Sequence, residues 1–374
     1  MYEDIFKKIE DYSITLGFED IRVTELDKLN FYSANLRYFI KKKYHGEMDW
    51  IEKKAKIREH PNNMWSEAKS ALVFSFNYGP ESNPLPETTK IDKGYISIYA
   101  RRKDYHKVLK TKLKKVCHYI SKISNIKVKV FVDTAPLMEK PLAEKASIGW
   151  IGKHTNLVSK KFGSWLFLGI ILTNHDFNQT ESQIKNHCGG CNACNKICPT
   201  NAFVSPYKLD ARKCISYLTI EHKSHIDRKF REPIGNRIFG CDDCLAICPW
   251  NKFAKKNSDI NIDIKNNLTL PSLNFLIDLD EDNFRLIFAG TPIRRLGYVR
   301  FLRNTLIAAG NSKDNSLIKK ITKKLDHSNV LIRSMAVWAL SKLSYTDFLK
   351  EKKKRLPQEK DIYIKNEWKL GLAK

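Results

Sequence analysis

The sequence predicts an α+β protein in three parts: a mixed α/β region over residues 1–175, a cysteine-rich module over 176–260 and an all-helical tail over 261–374. Three observations carry this. In the first part, short apolar or β-branched runs alternate with amphipathic stretches. Eight of the nine cysteines fall in the second part. In the third, helical periodicity takes over and positive charge accumulates.

Within residues 1–175, SALVFSFNY, VKVFVD, HTNLV and SWLFLGIILTN have the length and composition of strands. KDYHKVLKTKLKKVCHYI places apolar residues at three- and four-residue intervals, the mark of an amphipathic helix. The longest strongly apolar stretch, WLFLGIIL, is far too short to span a bilayer. The N-terminus MYEDIFKKIEDY mixes charges and lacks an apolar signal core, so a cytoplasmic protein without a membrane association is expected.

The second part opens with CGGCNACNKICPTNAF, in which Cys188, Cys191, Cys194 and Cys198 precede a proline. This C-x2-C-x2-C-x3-C-P run is the ligand pattern of a bacterial-ferredoxin-like [4Fe–4S] site, whose fourth cysteine serves a neighbouring cluster. An echo, GCDDCLAICPWN, supplies Cys241, Cys244 and Cys248 but has Ile238 where a first cysteine would stand. Cys214 is the remaining cysteine between the motifs. Crosswise ligation then gives one cluster to Cys188, Cys191, Cys194 and Cys248, and the other to Cys198, Cys214, Cys241 and Cys244. Cys117, in a helical pattern, reads as a small buried hydrophobe. Disulfides do not suit a long chain without a secretory signal, and zinc does not explain two C-x3-C-P endings.

The net charge of +25 is unevenly spread. Residues 291–374 hold 20 Lys or Arg against 7 Asp or Glu, and RRKDYHKVLKTKLKK forms a second basic block. Such surpluses suit a polyanion, although a solvated lysine-rich helix face has the same composition. In the tail, LRNTLIAAGN from Leu302 resembles IRSMAVWALS from Ile332, as in a HEAT-like helical-hairpin repeat with a basic outer face.

Two clusters form a wire that needs a terminus. No Gly-rich dinucleotide fingerprint and no C-x-x-C-H haem signal is present. The segments YARRKDYHKVL, FVDTAPLMEKPLAEKASIGWIGKHTNLV, CISYLTIEHK, IGNRIFGCDDCLAICPWN and GTPIRRLG, with the cysteine motifs, resemble the epoxyqueuosine reductase family. The resemblance departs at Arg102, where the family has a small residue, and at Ile170, where an acidic residue is expected.

The resemblance implies that residues 1–175 bind cobalamin in a fold akin to the corrin-binding core of reductive dehalogenases. It also implies reduction of the epoxide of epoxyqueuosine in tRNA, giving queuosine, by a monomer with an external low-potential electron donor. Independently, the DxHxxG signature of a histidine lower ligand to cobalt is absent; the nearest string, Asp104-Tyr105-His106, lacks the glycine. Turning an epoxide into an alkene consumes two electrons and two protons and releases water. Asp133 corresponds to the family's proton donor, which would need a raised pKa; its place before Thr-Ala-Pro equally suits a helix N-cap or Asx-turn. Arg58, Tyr99, Lys153, Asn156, Leu157 and Leu168 are implied to line the cofactor pocket, and Lys223, Arg294, Arg295, Arg300 and Arg303 to meet tRNA phosphates. Two other readings stay open: a cobalamin reductase of a small molecule, and a ferredoxin-type carrier without catalysis of its own.

Overall fold

A computed structural model describes residues 2–26, 29–177, 184–256 and 268–371. The expected boundary at 260 lies outside them. The chain divides into two compact units, each assembled from three segments. The first comprises the described residues of Met1–Asn83, Asp104–Arg212 and Asp243–Asp263. The second comprises those of Pro84–Lys103, Lys213–Asp242 and Ile264–Lys374.

The first unit is organised on an antiparallel sheet of β1 (Asp20–Glu25), β2 (Ser70–Asn77), β3 (Val128–Phe131) and β4 (Leu166–Thr173), in the order β1-β2-β4-β3. Every residue of β2 is buried, including the polar Ser70, Ser75 and Asn77, around the apolar stretch ALVF. Strand β1 lacks such an apolar stretch: DIRVTE buries Ile21, Val23 and the polar Thr24 and leaves Asp20, Arg22 and Glu25 partly or fully exposed. HTNLV contributes only the two-residue strand Leu157–Val158.

Strand periodicity sorts side chains to two faces. Ala71 and Val73 of β2 pair with Leu172 and Ile170 of β4. This face packs with Leu142, Ala143 and Ala146 of the helix Glu139–Lys145 and its C-terminal flank. Ile170 is fully buried there, so the departure at this position places an apolar side chain where an acid would be desolvated. The opposite face carries Phe74 and Phe76 against Phe18, and receives the helix Tyr105–Ile123. Gly169 allows that helix to approach: a Cβ there would stand 2.7 Å from Leu113. Cys117 on this helix is half-buried, and burial pushes its thiol up to about 12.

The second unit is helical around a small parallel pairing of Tyr95–Ile96 with Arg237–Phe239. Helices Tyr298–Asn311 and Val330–Leu343 carry the two similar sequences and pack together, burying a continuous run from Phe301 to Gly310 in the first and from Ser334 to Ser341 in the second. At Gly310 an added Cβ would meet Trp338 at 2.5 Å, so glycine sets the spacing of this pair. Glu367, in the helix Ile362–Leu370, binds Arg228 at 2.5 Å and Arg231 at 2.7 Å. Among the described residues, no helix is long and apolar enough to cross a membrane.

Candidate functional site

The first unit builds a polar cluster where β3 ends. Thr134 N–H bonds back to Val132 O at 2.5 Å, and Asp133 takes φ +50°. That left-handed conformation is uncommon outside glycine but is tolerated by Asp and Asn. The turn directs the Asp133 carboxylate at the start of the helix Tyr105–Ile123. Tyr105 Oη donates to Asp133 Oδ2 at 2.7 Å, and His106 Nε2 lies 2.9 Å from the same oxygen. The other ring nitrogen, Nδ1, is 2.7 Å from Asp104 Oδ1. Asp104 also caps the helix, accepting from His106 N–H at 3.2 Å.

The Asp133 carboxylate therefore caps no helix and closes no Asx-turn. The helix Glu139–Lys145 begins with Met138 at its N-cap, and the hydrogen bonds of the Asp133 side chain go to Tyr105 and His106. Its backbone N–H is held instead by Glu139 Oε1 at 2.5 Å.

The charge states follow from these contacts. Burial works against an imidazolium at His106, but the hydrogen bonds its ring donates to Asp104 and Asp133 prevail and raise its pKa to about 9. Desolvation by its neighbours pushes the partly exposed Asp133 carboxyl upward, yet the hydrogen bonds from His106 and Tyr105 outweigh it and hold the carboxyl below its usual range. The raised pKa required of a resident acid is thus not found at Asp133 itself. It is found beside it: burial, then the charge of Asp133, pushes Glu139 up to about 8.

Arg58, at the end of the helix Ala55–Glu59, stacks its guanidinium over Trp50 at 4.9 Å and faces the charges of Asp133 and Glu139. Its Nε is buried and makes no hydrogen bond. Lys140, which the sequence did not single out, donates to Thr155 O at 2.9 Å and Asn156 Oδ1 at 3.4 Å. Its charge acts on both Asp133 and Cys244. Asn156 thus lies beside the polar cluster. Leu157 and Leu168 belong to the hydrophobic packing behind it, Leu157 buried and Leu168 partly so. Lys153 points elsewhere, donating to Gly189 O at 2.6 Å and Cys191 O at 2.7 Å.

No disulfide joins the cysteines. The short helices Ala193–Ile197 and Asp243–Ala246 of the two motifs pack against each other in the first unit. Cys248 thereby comes within electrostatic reach of Cys188, Cys191 and Cys194. Burial, then the neighbouring Cys188 and Cys248, push the Cys194 thiol up to about 11. Trp150, fully buried, points Nε1 at Cys188 Sγ at 3.5 Å and packs edge-on against Trp250. An apolar wall and N–H groups aimed at sulfur are the surroundings an iron–sulfur cluster requires. Cys198 Sγ accepts from Ala202 N–H at 3.3 Å in the same unit, which also holds Cys244.

In the second unit, Cys214 is the N-cap of the helix Ile215–Ile220, and Ser216 Oγ donates to Cys241 O at 3.4 Å. The neighbouring Asp242 is buried and accepts from Tyr95 Oη at 2.6 Å, Ser97 Oγ at 2.7 Å and Ile98 N–H at 2.8 Å. It fixes the turn that leads into Tyr99, which is half-buried with its ring near Phe239.

The basic candidates separate by exposure. Lys223, Arg294 and Arg295 are exposed. Arg300 is half-buried and donates to Leu296 O at 3.0 Å and Ile220 O at 2.9 Å. Arg303 is not a phosphate contact. It is 0% exposed, and its guanidinium binds Leu218 O, His222 O, Ser224 O and Asn304 Oδ1 at 2.7–3.0 Å. In the second basic block, Arg101 and Arg102 are likewise buried, Arg101 on Ile96 O and Glu87.

Comparison with known proteins adds the following. A family model described as epoxyqueuosine reductase QueG, DUF1730, matches residues 58–134. A model of a 4Fe-4S double cluster binding domain matches residues 187–251. The epoxyqueuosine reductase of Escherichia coli (strain K12) is 37% identical over 337 residues, covering 90% of this chain and 88% of that protein. A crystal structure of epoxyqueuosine reductase with an epoxyqueuosine-modified tRNA-Tyr stem loop superposes with a TM-score of 0.92 at 28% identity, covering 100% of this chain and 99% of that one. The Bacillus subtilis epoxyqueuosine reductase, solved with its catalytic aspartate loop swung out of the active site, gives 0.90 at 28% identity over the same shares of the two chains.

Proposed function

The chain belongs to the epoxyqueuosine reductase family, and from that premise we propose that it reduces the epoxide of epoxyqueuosine in tRNA to the alkene of queuosine. Cobalamin would supply a strongly nucleophilic Co(I) centre, and two [4Fe–4S] clusters the single electrons that regenerate it from an external low-potential donor. The observation that carries this reading is the Asp133 cluster. A carboxylate is held in a left-handed turn by Tyr105, His106 and Glu139, with its side chain 58% exposed. Such a group stands ready to meet a substrate oxygen.

The residues present fit the absent groups. The buried Arg58 Nε without a hydrogen-bond partner suits an amide or phosphate oxygen of the corrin side chains, at the edge of the Asp133 cluster. Asn156, beside that cluster, and Tyr99 are the further proposed cofactor contacts; Leu157 and Leu168 back the cluster, and Lys153 is engaged by Gly189 O and Cys191 O. Cys188, Cys191, Cys194 and Cys248 would hold one cluster and Cys198, Cys214, Cys241 and Cys244 the other; the electrostatic neighbours of Cys194 and Cys248 support the crossed set.

In the reaction, Asp133 delivers a proton to the departing oxygen. The helical tail, HEAT-like in its paired repeats, would hold the tRNA through Arg294, Arg295 and the outer edge of Arg300, with Lys223 of the same compact unit as a further contact. The proposed division of labour is catalysis centred on residues 1–175, electron transfer on 176–260 and tRNA binding on 261–374, with 84–103 and 213–242 folding into the same unit as the helical tail. Nucleoside mass spectrometry of tRNA from cells lacking the protein tests the reading. Accumulated epoxyqueuosine is expected, and a normal queuosine content would refute it.

A further inference from the structure

The ionised state of Asp133 raises a question about the proton it must deliver. A carboxylate that already accepts from Tyr105 and His106 holds no proton of its own at neutral pH. The nearest N–H that can leave is on His106. Its ring is 15% exposed and spans two carboxylates, with Asp104 2.7 Å from Nδ1 and Asp133 2.9 Å from Nε2. Tyr105 stacks on the ring with centroids 4.0 Å apart and itself lies on Phe167 at 4.1 Å, which fixes the imidazole plane. The other charged groups facing this pair are Glu139, Arg58 and Lys140.

We propose that His106 is the proton reservoir of the reaction, acting through Asp133, and that Asp104 positions and charges it. The proposal rests on the epoxide-reduction reading above. In the step, the Nε2–H bond of the imidazolium breaks and an O–H bond forms on Asp133. The Asp133 carboxyl passes one proton to the substrate oxygen, which keeps the electron pair of the breaking C–O bond. His106 is left neutral and regains its proton from water. Because His106 acts through Asp133, it is a positioning residue. Asp104 both caps the helix and faces Nδ1, so backbone and imidazole are oriented by one side chain, whose charge offsets the cost of an imidazolium in a first helical turn.

Asp104→Asn separates the two functions of that side chain, since Asn caps a helix as well as Asp does but brings no charge. Two readouts are taken on protein carrying its clusters and cobalamin. One is the ¹³C titration of the His106 ring, assigned by its loss in His106→Gln. The other is the single-turnover conversion of an epoxyqueuosine-bearing stem loop across pH. In the wild type the ring should remain protonated through neutrality and titrate near pH 9, with the rate falling over the same range. In Asp104→Asn both midpoints should move to lower pH by the same interval. His106→Gln should lose about 10²-fold at neutral pH, and its rate should climb as the pH is lowered, because Asp133 must then take its proton from solvent.

A wild-type rate in His106→Gln would overturn the proposal. So would an Asp104→Asn variant whose imidazole titration moves while its rate profile does not; His106 would then only hold Asp133 in place. Failure of the wild type itself to convert the stem loop overturns the functional reading and this proposal with it, which distinguishes the two.

Discussion

Replacing Asp133 by Asn and by Ala separates its chemistry from its place in the turn. Asp133 has φ +50°, and Asn adopts that conformation as readily as Asp. Asp133→Asn also leaves an oxygen to accept from Tyr105 and keeps the backbone N–H that Glu139 holds. Its folding stability should therefore stay within about 0.5 kcal/mol of the wild type. Alanine lacks both advantages. A left-handed residue with a Cβ costs about 1–2 kcal/mol, and two partly exposed hydrogen bonds contribute about 0.5–1.5 kcal/mol each. With the side chain 58% exposed the lower values apply, so Asp133→Ala should lose about 2 kcal/mol. Neither variant can carry a carboxyl proton, and each should lose about 10²–10⁴-fold in single-turnover conversion with pre-reduced cofactor. Chemical denaturation reports the first quantity and nucleoside analysis the second. An Asn variant with near-normal turnover would refute the assignment of Asp133 as proton donor.

Three further outcomes follow from the geometry. Arg303→Ala should destabilise the protein by about 2–6 kcal/mol, because Leu218 O and Asn304 Oδ1 lose a buried donor at about 1–3 kcal/mol each; a denaturation midpoint like the wild type's would contradict this. Replacing the exposed Arg294 and Arg295 together should weaken tRNA binding and flatten its salt dependence by up to about two phosphate contacts' worth, leaving iron content and melting temperature unchanged; unaltered affinity would move the tRNA surface elsewhere. Cys248→Ala should perturb the same cluster signal as Cys191→Ala, and Cys198→Ala the same as Cys244→Ala; coincidence of Cys248→Ala with Cys244→Ala instead would exclude crossed ligation.

How far the sequence could be read depended on whether a residue's role is local. The cysteine spacings are local, so the cluster module is legible at once, as are β2 and β4, which carry the apolar stretches ALVF and LFLGIIL. Strand β1 was missed because half of its side chains face water and only Ile21 and Val23 mark the core. The site was only half legible. Asp133 stood out by resemblance, but its partners Tyr105 and His106 lie 28 and 27 residues away and meet it only because a helix starts where β3 ends. The string Asp104-Tyr105-His106 drew notice for its missing glycine, not for its true neighbours. Arg303 was misassigned for a physical reason: the same helical face that repeats every few residues can turn an arginine inward, and a guanidinium's five donors serve carbonyls as well as phosphates.

The central claim is that this chain removes the epoxide oxygen from epoxyqueuosine within RNA. The most direct measurement incubates the protein, with clusters and cobalamin reconstituted and a strong low-potential reductant present, with an epoxyqueuosine-bearing stem loop. Its nucleosides are then analysed by mass spectrometry. Conversion to queuosine, lighter by one oxygen atom and dependent on cobalamin, is the predicted result. Recovery of unchanged epoxyqueuosine from protein with its full complement of iron and cobalamin would contradict the account.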